Sequence, residues 1–167
     1  MSAASARGGP LIARGVVITR DEMMEPMLDA CPSFRPAWEE FVEEWKSEPE
    51  MPLYLALSEL ARHLIARLEA RDAATLSRAF AVVERWHLEG DAYVQEAATI
   101  GLLEDLQNTN LHGKTTPKQF EPLLLLESLR AWRELDRFGK RSTLEVWFLC
   151  GLTILVAAFC VWILWFF

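Results

Sequence analysis

The chain has few of the residues that build covalent or metal-held scaffolds: three cysteines, three histidines and two tyrosines in 167 residues. Two of the cysteines, Cys150 and Cys160, lie in an apolar C-terminal run, so no disulfide framework can be assembled with Cys31, and a reducing compartment is expected. Asp29 stands close to Cys31 and opposes thiolate formation, which makes an inert thiol the expectation. His63, His87 and His112 are scattered, and none has a second His or Cys at helical spacing. A metal site is therefore not expected. Basic charge is also scarce, with 17 Lys and Arg against 24 Asp and Glu. Binding to DNA or RNA needs clustered cations that displace counterions from phosphates, and such a chain is expected to bind neither.

The charge is distributed in zones. Residues 1–20 hold three arginines and no acid, residues 21–136 hold 23 acids against 11 bases, and residues 137–145 hold three bases and one acid. Strand-like alternation is missing as well, and helical periodicity runs through most of the body, which predicts an all-α fold. A short helix is expected over 23–30. After Pro32 and Ser33, the residues Trp38, Phe41, Val42 and Trp45 recur at the spacing of one helical face, opposite Glu39, Glu40, Glu43 and Glu44. A break over 47–52 is followed by the stripe Leu53, Leu57, Leu60, Leu64 and Leu68. Asp72 and Asp91 are expected N-caps, and Gly90 the stop between their helices. In the helix after Asp91, the residues Val94, Ala97, Ala98 and Gly101 present small side chains to one side, which predicts the central, most buried helix. Pro117 is expected to open a last soluble helix carrying Phe120, Leu123, Leu124, Trp132 and Leu135, ended by Gly139.

The run Val146–Phe167 contains no charged residue and is long enough to cross a hydrocarbon core of about 30 Å. It reads as a transmembrane tail anchor, with Arg137, Lys140 and Arg141 ahead of it placing the body on the cytoplasmic side of a membrane. Within it, Gly151 and Ala158, and Thr153 and Ala157, have the small-residue spacing of helix contacts in bilayers. The expected organisation is thus a flexible tail over 1–21, a cytoplasmic helical domain over 22–139, a juxtamembrane linker over 140–145 and the span over 146–167. The fold class expected is an antiparallel bundle of about five helices followed by a single C-terminal transmembrane helix.

Chemistry is hard to find in this pattern. HGKTT, residues 112–116, has the look of a phosphate loop, but the Walker spacing needs a glycine where Asn108 stands and a preceding strand where a helix is expected. Glu104 and Asp105 are adjacent, so on a helix they diverge by about 100° and cannot share one substrate atom. His63 and His87 read as structural, no nucleophile motif accompanies the serines, and neither enzymatic activity nor a cofactor is expected. The dense acidic face Glu39, Glu40, Glu43 and Glu44 stands out. Packed like charges cost stability that a basic protein partner would relieve, which makes these four residues the candidate partner-binding set.

The stretches GDAYVQEAATIGLLEDLQN (90–108) and FEPLLLLESLRAWRELDRF (120–138) resemble an uncharacterised family of small all-helical bacterial proteins, with Ser128, Trp132 and Phe138 matching its last helix. The resemblance spans 32–138 and implies a bacterial domain of accessory or immunity type, without an activity; the apolar tail departs from it. Two functions are therefore carried forward. One is an interaction module at the bacterial inner membrane that binds a protein partner. The other is a membrane-perturbing effector of a stress or anti-phage system whose transmembrane helices assemble several copies of the chain.

Overall fold

The computed structural model describes residues 17–137, and every regular element in that range is helical. The helices are α1 (Met24–Ala30), α2 (Arg35–Trp45), α3 (Leu53–Glu69), α4 (Ala73–Glu89), α5 (Ala92–Glu96), α6 (Glu104–Gln107) and α7 (126–137). Between α5 and α6 the chain does not break but widens into a π-helical segment, Ala97–Leu103.

The caps form where the polar residues require them. Asp72 accepts from the Thr75 amide at 3.1 Å and Asp91 from the Val94 amide at 2.9 Å, each satisfying a first-turn donor that the helix itself cannot. The hydrogen bond to Thr75 is the main reason the Asp72 carboxyl is held below its ordinary value. Gly90 ends α4, though in extended backbone (φ −71°, ψ 151°), so freedom to adopt positive φ is not why glycine stands there. The left-handed position belongs to Arg71 (φ 60°), where α3 turns into α4.

Leu53, Leu57, Leu60 and Leu64 of the α3 stripe and the Leu76, Phe80 and Val83 stripe of α4 are buried in one core, with Leu68 half-buried at its edge. Ala97, Ala98 and Leu102 are fully buried in the π segment, which packs against α3, and Val94 is fully buried beside the end of α4. At Gly101 the approach is close, since an added Cβ would lie 2.8 Å from Leu57 Cδ1. Trp86 is the largest side chain wholly enclosed, and its indole Nε1 donates to the Met23 carbonyl at 3.0 Å, pinning the entry to α1 on α4. Trp86→Phe keeps most of the volume but removes the tie between α4 and the entry to α1, and should lower stability by about 1 kcal/mol in urea denaturation.

Three expectations are corrected by this architecture. The bundle of about five helices is seven α-helical segments among the described residues. Pro117 does not open the last helix: it starts a 3-10 turn, Pro117–Gln119, and a second one follows at Glu121–Leu123. Pro122 has no amide to donate, and after it Leu124 is extended (φ −77°, ψ 141°), so α7 begins only at 126. Residues 18–21, expected within a flexible tail over 1–21, are instead tied to the domain. Ile18 is buried, its amide donates to Glu89 O at 2.9 Å and its carbonyl accepts from the Asp91 amide at 3.0 Å, an isolated parallel bridge to Gly90. Arg20 then ion-pairs with Glu50 and lies 5.0 Å over the Tyr93 ring.

The membrane-spanning part of the expected fold class is corrected too, because no helix among the described residues is long and apolar enough to cross a membrane. The run Val146–Phe167, with Gly151, Thr153, Ala157 and Ala158, lies outside the described residues, as does the linker before it.

Candidate partner-binding surface

Helix α2 sits at the edge of the domain, because only one face of it has apolar residues to bury. Phe41 is buried, while Trp38 and Trp45 are half-buried to either side, and the three rings form a ladder with centroids 6.1 and 6.0 Å apart. The opposite face projects Glu39, Glu40, Glu43 and Glu44 into solvent, all four exposed. Of these, Glu43 has a basic neighbour on the same helix edge, Lys46. The structure thus brings the four predicted carboxylates together on one surface, as their spacing requires.

Sequence reading did not anticipate the cleft beside them. Between α2 and α3 runs a groove of about 510 Å³ lined by Ala37, Phe41, Trp45 and Leu55, with Glu40, Glu44 and Glu59 on its edges. Leu55 is 50% exposed, an apolar side chain left without cover. Arg62, the single base in the lining, is held by Glu59 at 2.7 Å, so the rim keeps a net negative charge. Its signal in the sequence was Leu55, which falls off the leucine stripe of α3 and so had no core partner to expect.

The remaining polar residues are mostly engaged in holding helices. Glu84, a buried carboxylate, reaches across from α4 and accepts from the Glu127 amide (2.9 Å), the Ser128 amide (2.9 Å) and the Ser128 hydroxyl (2.8 Å). It therefore caps α7 from another helix, satisfying the first-turn amides that α7 leaves unpaired. Burial alone would raise its pKa, but those three hydrogen bonds and the nearby His87 outweigh it, and the carboxyl is held below its ordinary value. His87 bridges Val83 O (2.8 Å) and Thr99 Oγ1 (3.2 Å), tying α4 to the π segment. His112 joins Thr115 Oγ1 (2.9 Å) to Leu106 O (3.0 Å), and Glu69 accepts from the Lys114 amide at 3.2 Å. In the HGKTT loop, then, a carboxylate occupies a backbone donor that a phosphate would need. Asp105 accepts from Ser58 Oγ while Glu104 faces solvent, so the two acids do not converge. No group of three or more His, Cys, Asp or Glu side chains among the described residues could hold a metal ion.

A family model for a domain of unknown function, DUF7674, matches residues 24–140. The chain belongs to this family. No curated protein and no solved structure matches it. The match runs from the first residue of α1 to just beyond α7, so the acidic helix, the groove and the Glu84 cap all lie within the DUF7674 domain. Membership of an uncharacterised family, expected from residues 90–108 and 120–138, is thereby established, and the family's description names no function.

Proposed function

We propose that this DUF7674 domain is a protein-interaction module that binds a basic partner on α2 and the adjoining groove, neutralising or positioning that partner. The observation that carries this reading is an aromatic-floored cleft edged by carboxylates. Phe41, Trp45 and Leu55 offer a patch for an apolar anchor, and Glu39, Glu40, Glu43 and Glu44 offer complementary charge for flanking Lys or Arg. An amphipathic helix with apolar residues on one face and basic residues beside them satisfies both features at once.

The test uses the full chain and a synthetic amphipathic Lys/Leu peptide, with a scrambled peptide of equal charge as control, in titrations at two salt concentrations. The double variant E40K/E44K should bind the amphipathic peptide about tenfold more weakly, with a shallower dependence on salt. Trp45→Ala should weaken binding while leaving the salt dependence unchanged. Equal affinity of the two peptides, or of wild type and E40K/E44K, would overturn the reading.

A further inference from the structure

One pair of side chains outside the groove lining is arranged for chemistry rather than for packing. The 3-10 turn Pro32–Phe34 between α1 and α2 leaves Ser33 exposed, and it places Ser33 Oγ 2.9 Å from His63 Nε2 on α3. The imidazole is itself positioned, with its ring centroid 5.4 Å from that of Phe34, a fully packed residue of the same turn. Behind the serine lies the buried Cys31, whose Sγ is 3.5 Å from Ser33 Oγ. With the thiol donating to Oγ, the hydroxyl proton has His63 Nε2 as its acceptor, and the imidazole carries its own proton on Nδ1. A second observation comes from the next turn of α3. The Arg67 Nε is buried and hydrogen-bonds to nothing, a donor left over in the neighbourhood of His63. Half-burial of His63, reinforced by the Arg67 charge, holds the imidazole below its ordinary pKa, so it is a neutral base at pH 7.

The geometry points to Ser33 as a nucleophile that accepts an acyl group from an activated ester, with His63 as its general base. In the acylation step Ser33 Oγ bonds to the carbonyl carbon while its proton passes to His63 Nε2. The ester C–O bond breaks and the leaving oxygen departs with the electron pair, the proton on His63 going to it or to solvent. In the return step water adds to the acyl carbon, gives a proton to His63 and releases the acid, and the Ser33 oxygen is reprotonated. No carboxylate hydrogen-bonds to His63 among the described residues, so the imidazole lacks the orienting partner of a full triad. Acylation is thus the step to measure, rather than turnover.

The full chain is treated with p-nitrophenyl acetate at pH 7 and the acetyl group located by peptide mass mapping. Ser33 should be acetylated about tenfold faster, or more, than the exposed Ser47 and Ser77, and His63→Gln should slow its labelling by at least about tenfold. Ser33→Ala should remove the label. Because Ser33 is exposed, Ser33→Ala should keep the wild-type thermal midpoint, and circular dichroism of His63→Gln, whose ring packs on Phe34, separates lost reactivity from lost fold. Acetylation confined to lysines, or equal labelling of Ser33 in wild type and H63Q, would overturn the assignment.

Discussion

Glu84→Ala should destabilise the domain by about 3 kcal/mol, which for a chain of this size lowers the thermal midpoint by on the order of 10 °C. The carboxylate is buried and accepts three hydrogen bonds, two of them from the amides that open α7. Removing it leaves those donors dry and unpaired, and it takes the negative charge away from a helix N-terminus. Helix α7 is otherwise attached through Trp132, Leu129 and Leu135 and through Gln107 Nε2, which donates to Trp132 O at 2.7 Å. The expected failure is therefore local first: amide exchange in α7 should accelerate before the rest of the domain opens. Glu84→Gln retains one accepting oxygen and should cost less than the alanine.

The same residue predicts an acid dependence. Its carboxyl is held below the ordinary value of 4.5 in the folded state, so its contribution is complete above about pH 4.5 and is lost as pH falls through the lower folded value. Urea midpoints of wild type and Glu84→Gln should differ at pH 7 and converge as the pH drops below 4.5. A gap that stays constant down to the acid limit would show that the carboxylate charge is not what α7 uses.

Gly90→Ala should cost about as much, roughly 3 kcal/mol, for a steric reason. A Cβ there would lie 2.3 Å from the Trp86 carbonyl oxygen and 2.6 Å from Val94 Cγ1. The first of these is backbone in the last turn of α4, so relief requires unwinding that turn rather than rotating a side chain. Three segments also meet at this point. Gly90 N donates to Trp86 O (3.2 Å), Gln95 Nε2 donates to Gly90 O (2.8 Å), and Ile18 pairs with Glu89 and Asp91 on either side. Amide exchange at Ile18 and Asp91 should rise together with the fall in thermal midpoint. An alanine variant that melts within about 2 °C of wild type would show that the contact relaxes without cost.

Much of the helical framework was legible because it rests on local rules. Asp72 and Asp91 cap, the leucines of α3 repeat on one face, and Ala97, Ala98 and Gly101 are small where helices cross. Each of these is a statement about neighbours within a turn or two. The late start of α7 is partly legible, since Pro122 has no amide to donate, whereas the extended backbone at Leu124 has no such local mark. The π segment had no local signature. Nothing in AATIGLL demands a wider helix, and this widening coincides with the close seating of Gly101 on Leu57 and Tyr54. For the candidate surface, the four glutamates were readable from spacing, whereas the groove beside them depends on how α2 lies across α3.

The sequence by itself determined an all-helical domain, the membership of one acidic face, and the caps between α3, α4 and α5, since periodicity and first-turn hydrogen bonding are local physics. Only the tertiary structure decided which distant polar groups meet. Glu84 finds the amides of α7 more than forty residues away, and Ser33 finds His63 thirty residues away. Each pairing arises because burying the apolar stripes of α1, α3 and α4 sets the relative height of the helices, and no spacing within one helix encodes that height.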